Sequence, residues 1–451
     1  MGALGLPVFA KKHSPALHPN IVLIMADDLA SWMLGCFGNQ EIRTPNIDRL
    51  AQAGTRFQNH LVCTPACSPS RATLFTGRLP RQHGIQDFLT QEPIENPPQG
   101  QAAPPASFHN EIMLSDVLAG QGYECGYAGK WHMGDDQNPQ HGFRFWHTWL
   151  YDGATSYQDP RMSANGQAAT EKGYLTDIIT AKASQFIERQ NPSKPFFLTI
   201  SYPNPHPPYD GHPARYYEIY AKAEFTTTGW EPRAANALGD KNYLGDVVGN
   251  CRKAAAAVTA LDDQIPRLIA KLQERGLREN TLIVFTSDSG YLLGRHGAWS
   301  SGLATDPINM YEEVVQAPMI WHWLGHVPAQ GVRPELVSAY DFVPTICDLT
   351  GADLPARNLC GRSYLALATG KPLPKKLPWR TVVFGQYRNT EMVRDPRYKL
   401  VLRNNGSGPN EFFDLASDPR EKVNQYGNER YLVERGQMTR ELEGWRKKTS
   451  S

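Results

Sequence analysis

Short runs of apolar residues recur along the chain, and three of them end in polar residues. Residues 21–26 read IVLIMA and are followed by Asp27 and Asp28. Residues 196–202 and 281–286 form similar runs, FFLTISY and TLIVFT. Such runs, when they are bounded by turn residues, are typical of parallel strands buried on both faces. The pattern therefore predicts three buried strands whose carboxyl ends carry polar side chains.

Helical periodicity separates these strands. We predict helices over residues 174–190 and 253–274, the second stopping at Gly276. A shorter helix is predicted over residues 45–53, with Thr44 as its N-cap and a proline in its first turn. Because strands and helices alternate, the sequence favours a doubly wound α/β fold.

The sequence changes character after about Ala368. Residues 369–379 form a linker rich in Pro and Lys, and a charged helix is predicted at the end of the chain. Short β-like segments lie between them, at residues 381–387, 398–403 and 411–415. We predict three parts: an N-terminal extension over residues 1–18, an α/β domain over 19–368 and a small α+β subdomain over 369–451.

Composition and charge remove several classes of protein. The chain has 451 residues, with 46 Lys and Arg against 45 Asp and Glu, so no basic excess points to a nucleic-acid partner. No stretch approaches the ~20 apolar residues that a membrane span needs. The apolar N-terminal run precedes Lys11 and Lys12, the reverse of a signal peptide's charge order, so it does not settle localisation. The seven cysteines are an odd number, which leaves one for a separate role.

Asp27, Asp28 and Asp288 form the candidate metal site. All three follow predicted strands, at the edge of an α/β sheet where ligands bind. Clustered carboxylates suit a hard cation, Ca²⁺ or Mg²⁺, and no CxxC or HExxH pattern supports zinc. The alternative is that each Asp caps the turn after its strand.

The segment CSPSRATLFTGR, residues 67–78, is the second candidate. It places Cys67 at the start of a helix, where free N–H groups and the helix dipole favour an anion. Arg71 adds a fork of donors suited to an oxyanion. A buried structural cysteine ahead of a capped helix is the alternative.

The pattern C-x-P-S-R followed by A-T-L-x-T-G-R resembles the signature of the formylglycine-dependent sulfatases, in the alkaline phosphatase superfamily. Further segments resemble motifs of that family in the same order, from about Pro19 to Asn424. They are PNI through DD at 19–28, TPNID at 44–48, QHG at 82–84, GKWHMG at 129–134, PHP at 205–207, ENT through D at 279–288, MYEE at 310–313, YKL at 398–400, FDL at 413–415 and DP at 418–419.

The resemblance implies a fold and a cofactor set. The fold is a large mixed, mostly parallel sheet sandwiched by helices, with a C-terminal α+β subdomain built on a four-stranded antiparallel sheet and a terminal helix. A maturation enzyme would convert Cys67 to formylglycine, whose hydrate attacks sulfur. Asp27, Asp28 and Asp288 would hold Ca²⁺, with Mg²⁺ as the alternative, together with the modified Cys67.

The resemblance also implies roles for four further residues. Arg71 and Lys130 would steady the hydrate and the sulfate charge. His206 would help to protonate the leaving oxygen, and His132 would take a proton from the hydrate. Lys130 and His132 are two positions apart, so in an extended segment both project to one face.

Two positions depart from the family pattern. Ser289 stands where the family usually has Asn or His as a metal ligand, and a hydroxyl is a weaker ligand. Ser301 stands where a lysine is expected, and a missing cation would cost about 2–4 kcal/mol of transition-state stabilisation. Our hypothesis is that Arg295 or His296 supplies the charge, so both are candidate substrate-binding residues.

The expected function is hydrolysis of a sulfate ester, with a sulfated carbohydrate as the first substrate class. The same nucleophile and metal serve phosphonate monoester and phosphodiester hydrolases, and a lapsed site that only binds sulfated glycans is a third reading. Trp131, Trp146 and Trp149 would either stack on sugars or pack inside the protein. The resemblance favours an exported protein, in the periplasm, the lysosome or outside the cell.

Overall fold

A ten-stranded sheet forms the larger part of the fold. The computed structural model describes residues 18–90, 104–150, 157–238, 241–374, 377–406 and 408–449, so nearly all of the predicted N-terminal extension lies outside the described residues. The strands of the sheet are β1 (Asn20–Asp27), β2 (Thr55–Leu61), β3 (Glu124–Gly129), β4 (Phe145–Trp149), β5 (Arg161–Ala164), β6 (Gln167–Thr170), β7 (Phe196–Pro205), β8 (Thr281–Ser287), β9 (Met319–His322) and β10 (Gly331–Ser338).

The strands lie in the order β10-β2-β9-β8-β1-β7-β3-β4-β5-β6. The central five, from β8 to β4, pair in parallel. The antiparallel pairs are those that β9 makes with β2 and β8, and those of β5 with β4 and β6. The three strands predicted from apolar runs are β1, β7 and β8, which are adjacent at the centre of the sheet. The predicted mixed, mostly parallel sheet is confirmed.

Helices cover both faces of this sheet. Val22 and Ile24 of β1 belong to one hydrophobic cluster and Ile21 and Leu23 to another, because successive side chains of a strand point to opposite faces. The helices are α1 (Pro45–Gln52), α2 (Cys67–Thr76), α3 (Pro80–His83), α4 (Leu114–Gly120), α5 (Leu175–Glu188), α6 (Ala214–Tyr220), α7 (Lys241–Gly245), α8 (Val247–Asp262), α9 (Ile265–Glu274), α10 (Glu312–Val315), α11 (Phe342–Thr350), α12 (Leu365–Ala368) and α13 (Leu432–Lys448). None of them combines the length and apolarity that a bilayer crossing requires.

Two helix predictions need correction. The single helix predicted over residues 253–274 is two helices, α8 and α9, because Pro266 in the first turn of α9 has no N–H and its ring would clash with a preceding carbonyl. The Thr44 side chain makes no capping hydrogen bond to α1. Instead, the carboxylate of Asp262 accepts hydrogen bonds from the backbone N–H groups of Asn46 and Ile47.

A separate antiparallel sheet forms near the C-terminus. Its strands, in order, are β11 (Val383–Tyr387), β12 (Thr390–Arg394), β13 (Tyr398–Arg403) and β14 (Glu411–Asp414). The ring of Trp445 in α13 stacks on Phe384, with centroids 5.0 Å apart. The four-stranded sheet and terminal helix agree with the expectation, although the residue pattern did not single out β12. The boundary after residue 368 stays a prediction, and linker residues 375–376 lie outside the described ranges.

Gly129 lets two central strands approach each other closely where β3 ends. Its φ is +112°, and a Cβ there would lie 1.9 Å from the carbonyl oxygen of Ser201. The next residue, Lys130, donates its backbone N–H to the same carbonyl at 2.9 Å. The glycine therefore fixes the point at which the chain leaves the sheet and the position of the Lys130 backbone.

We expect Gly129→Ala to lower the free energy of unfolding by about 3 kcal/mol or more, because it adds a backbone clash to an unfavourable φ. Gly122→Ala is the matched control, since Gly122 has φ +87° but no atom within 4 Å of its would-be Cβ. The control should cost about 1 kcal/mol. Urea unfolding measures both, and equal losses would contradict the role assigned to the Ser201 contact.

Candidate active site

The predicted carboxylates meet at the carboxyl edge of the central strands. Asp27 ends β1, and Asp28 follows it. The parallel register pairs Ala26 with Ser287, so Asp288 lies beside them. The backbone N–H of Asp28 donates to the Asp288 carboxylate at 3.1 Å. The structure therefore brings the three predicted metal ligands together.

Cys67 lies at the same place, as the first residue of α2. One ligand atom from each of Asp27, Asp28, Asp288 and Cys67 lies within 4.8 Å of the others, and all four residues are buried. The Cys67 thiol donates a hydrogen bond to Asp27 at 3.2 Å. Burial, and then the charge of Asp27, raise the pKa of the Cys67 thiol well above its usual value. An unmodified thiol held in this way is a poor nucleophile, since the thiolate is the reactive form.

Two buried cations face these carboxylates. Arg71, one helical turn after Cys67, donates from Nε to Asp288 at 2.7 Å. Its Nη1 donates to both the Lys130 carbonyl at 2.7 Å and the Ser201 hydroxyl at 2.8 Å. The Lys130 ammonium contacts Asp27 at 2.5 Å. Three carboxylates against two cations leave one negative charge unbalanced when all five groups are ionised.

The pKa values of the three carboxyl groups differ because of this imbalance. Burial alone would raise the pKa of Asp27, but Lys130, His206 and Arg71 hold it well below its usual value. Burial and the other two carboxylates raise the pKa of Asp28 well above its usual value. Burial and Asp27 raise the pKa of Asp288 to about 7. The protein alone therefore does not stabilise three charges, and a divalent cation would.

Ser289 joins the cluster through a neighbouring carboxylate. Its hydroxyl donates to the Asp28 carboxylate at 2.7 Å, and the residue is fully buried. The structure thus places Ser289 where the sequence predicts it, although its role as a metal ligand stays a prediction.

His206 follows β7 and faces the cluster from the side. Its Nδ1 lies 2.5 Å from the carbonyl oxygen of Pro207, which only accepts, so Nδ1 carries the proton. Its Nε2 lies 3.8 Å from the Asp28 carboxylate. Burial lowers the pKa of His206 to about 4, so the ring is neutral at pH 7.

His132 is held by a different partner. Its Nε2 donates to the carbonyl oxygen of Leu89 at 2.9 Å, which makes Nδ1 the acceptor atom of the neutral ring. Burial and the nearby Lys130 charge lower the pKa of His132 well below its usual value. The backbone of His132 has φ +58°, so the extended segment assumed for Lys130 and His132 does not form.

Arg295 and His296 contact other partners. The Arg295 guanidinium donates to the Thr228 carbonyl at 2.8 Å and lies 3.7 Å above the Trp32 ring. Both residues also approach Glu313, at 3.5 Å for Arg295 and 3.2 Å for His296. The Glu313 carboxylate therefore offsets the positive charge that we expect Arg295 and His296 to offer the substrate. A substrate-binding role for the two residues stays a prediction.

Sequence reasoning missed two residues that hold the cations in place. Ser201 accepts from Arg71, and the hydroxyl of Tyr127 donates to the Lys130 carbonyl at 2.6 Å. A signal for Ser201 existed, since it is a polar residue within the apolar run of β7.

The structure also resolves whether Trp131, Trp146 and Trp149 stack on sugars or pack inside the protein. All three are buried, so they pack inside the protein.

Comparison with known proteins now identifies the family. The sulfatase family model matches residues 19–352, and a model described as the C-terminal part of N-sulphoglucosamine sulphohydrolase matches residues 304–448. The chain belongs to the sulfatase family. It is thus a sulfuric ester hydrolase, as the motifs predict, and the overlap of the two models does not test the predicted boundary at residue 368.

Three known proteins illustrate the similarity. This sulfatase is 28% identical to the N-acetylglucosamine-6-O-sulfatase of Bacteroides thetaiotaomicron, over 94% of this chain and 86% of that protein. A protein solved in complex with its substrate, D-glucosamine-2-N,6-O-disulfate, matches this chain with a TM-score of 0.80 and 25% identity. The match covers 96% of this chain and 98% of that protein's chain. The phosphonate monoester hydrolase of Agrobacterium radiobacter has a TM-score of 0.74 and 21% identity, over 96% of each chain. That last likeness shows the fold alone.

We expect Arg71→Lys to lower the free energy of unfolding by about 3 kcal/mol, because an ammonium cannot replace the guanidinium fork between buried acceptors. Arg397→Lys is the matched control, since Arg397 also makes a two-nitrogen ion pair, with Asp414, but is half exposed. Urea unfolding compares them, and equal effects would mean that the buried contacts of Arg71 add no stability.

Proposed function

We propose that this sulfatase hydrolyses a sulfate ester of a carbohydrate, with a nucleophile derived from Cys67. The observation that carries the proposal is the position of Cys67, at the start of α2 within 4.8 Å of three carboxylate ligand atoms. Arg71 and Lys130 lie against the same carboxylates. The site thus combines a modifiable nucleophile, a donor set for a cation and positive charge for an oxyanion.

The proposed nucleophile is formylglycine, made from Cys67 by a maturation enzyme. The segment from Cys67 to Arg71 has the family's C-x-P-S-R pattern, and the structure places it on a helix with both residues facing the carboxylates. The modified side chain would supply, as its hydrate, a hydroxyl group that attacks sulfur.

The donor set fits Ca²⁺. Asp27, Asp28 and Asp288 offer oxygen ligands, and the modified Cys67 and Ser289 would add further oxygens. A bound cation would offset the unbalanced negative charge and attract the sulfate oxygens. Mg²⁺ is the alternative, although it requires a more regular octahedral shell.

The residues around the nucleophile have separate tasks. Arg71 and Lys130 bring positive charge to the place where the sulfate would lie. The acceptor Nδ1 of His132 would take a proton from the nucleophile, since its Nε2 is committed to the Leu89 carbonyl. The Nε2 of His206 faces the cluster but is unprotonated in the neutral ring, so it would first take up a proton and then deliver it to the leaving oxygen.

The substrate class rests on the relatives. One is an N-acetylglucosamine-6-O-sulfatase and another is solved with a disulfated glucosamine, so a sulfated amino sugar is the first substrate to test. The phosphonate hydrolase shares the fold, and its chemistry is an outcome that the test below separates. We also propose that the protein is exported from the cytoplasm, as the family resemblance implies.

Co-expressed with a maturation enzyme, the protein is expected to release sulfate from N-acetylglucosamine 6-sulfate, because every proposed group is present. Ion chromatography measures the sulfate, and mass spectrometry of the Cys67 peptide confirms conversion. Cys67→Ala is expected to lose at least a thousandfold in rate, since it cannot carry the nucleophile.

Two results would contradict this proposal. With conversion confirmed, faster cleavage of an aryl phosphonate than of any sulfate ester would indicate a phosphonate hydrolase. Stoichiometric binding of sulfated sugars without turnover would indicate a lapsed site.

Ca²⁺ is expected to raise the melting temperature of the metal-free protein by several degrees, because it relieves repulsion among the carboxylates. Asp28→Asn should abolish most of this shift. It should also leave the metal-free protein at least as stable, since the raised pKa of Asp28 shows that the charge is costly there. Differential scanning calorimetry measures both effects, with Asp159→Asn, at an exposed ion pair, as the control. An unchanged Ca²⁺ shift in Asp28→Asn would rule out this metal site.

A further inference from the structure

The turn between β11 and β12 brings an arginine of the C-terminal subdomain towards the active site. Arg388 lies in this turn, and its Nε donates to the carboxylate of Asp87 at 2.6 Å. A second nitrogen of the guanidinium contacts the same carboxylate. The hydroxyl of Tyr387 donates to the other oxygen of Asp87 at 2.6 Å.

Asp87 belongs to a segment that touches the catalytic groups. Two residues later, the N–H of Leu89 donates to the Ser68 hydroxyl at 2.9 Å, next to Cys67. The carbonyl oxygen of Leu89 is the one that accepts from His132. The segment from Asp87 to Leu89 therefore connects Arg388 with both sides of the active site.

Strand β11 approaches the nucleophile from another direction. The backbone N–H of Gln386 donates to the Cys63 carbonyl at 2.7 Å, and its carbonyl accepts from Thr64 at 2.6 Å. A Cβ on Gly302 would lie 2.7 Å from Pro65 and 3.2 Å from the ring of Tyr387. Ser301, which stands where a lysine is expected, is next to Gly302. It thus lies beside β11, the strand that leads into the turn with Arg388.

A cavity of about 340 Å³ opens next to Arg388. It lies between residues 306–308 and residues 388–390, and its lining contains both the cation Arg388 and the acidic residue Asp306. Its volume is at the lower end of the range for small-molecule sites. The Arg388 side chain is 22% exposed, but Nη2 is buried against Asp87, so a ligand in the cavity would reach the guanidinium only after it turns away from that carboxylate.

We propose that Arg388 binds a second anionic group of the sugar, a sulfate or a carboxylate, in this cavity. The proposal rests on the proposed carbohydrate substrate. Asp87 holds the guanidinium in place before the substrate arrives, and keeps the Tyr387 hydroxyl bond when the guanidinium turns to the ligand. The guanidinium fork suits two oxygens of one anion. With Asp87, its Nε and Nη2 share a single carboxylate oxygen, because the Tyr387 hydroxyl occupies the other. Arg388 would thus determine specificity for substrates with two anionic groups.

The test compares two sugars that differ in one anionic group. The kcat/KM for glucosamine-2-N,6-O-disulfate is divided by the kcat/KM for N-acetylglucosamine 6-sulfate. Arg388→Ala is expected to lower this ratio by about 10–100-fold, the worth of a charged hydrogen bond, mainly through KM. Arg388→Lys should retain part of the ratio, and Arg397→Ala, in a surface ion pair of the same subdomain, should not change it.

A ratio unchanged in Arg388→Ala would overturn the proposal, and an equal loss on both sugars would do the same by showing a purely structural role. Failure of the wild-type protein to cleave either sugar would count against the proposed function instead. In that case, calorimetry measures how tightly the disulfate binds to Cys67→Ala and to the double variant that also carries Arg388→Ala. This comparison decides whether Arg388 binds the second anionic group. Loss of binding in the double variant supports it, whereas equal binding or none in either variant overturns it.

Discussion

The structure around the active site depends on one electrostatic problem, three carboxylates buried together with too little positive charge. The parallel pairing of β1 with β8 brings Asp27, Asp28 and Asp288 to one point. Arg71 and Lys130 offset two of the charges, and Arg71 is held by further hydrogen bonds to the Lys130 carbonyl and the Ser201 hydroxyl. Because unpaired buried charge is costly, the neighbouring strands and the start of α2 are constrained to keep these cations in place.

The parts of this arrangement that are local could be predicted from the sequence. The apolar runs predicted the central strands, and their last residues predicted the carboxylates. The spacing of Cys67 and Arg71 places both on one side of a helix. The break before α9 is also predictable, because Pro266 stands in the sequence, whereas helical periodicity alone predicts one helix where there are two.

Contacts between distant segments could not be predicted in this way. Arg295 and His296 are predicted as replacement cations because they are near the expected lysine position in the sequence. The sequence does not predict that both contact Glu313 in the fold, or that Arg295 lies over the Trp32 ring. Arg388 reaches Asp87 across 301 positions of the chain, and no periodicity or motif carries that contact. Local patterns predict elements and their ends, whereas the choice of partner for a long charged side chain depends on how those elements pack.

The burial of α2 has a consequence for the order of events during biosynthesis. All ten residues of this helix are buried, and β11 packs over the residues just before it. Residues 383–387 leave the ribosome more than three hundred residues after Cys67. The maturation enzyme that we propose for Cys67 therefore has to act before the chain has folded, and folding itself would end the period in which that modification could occur.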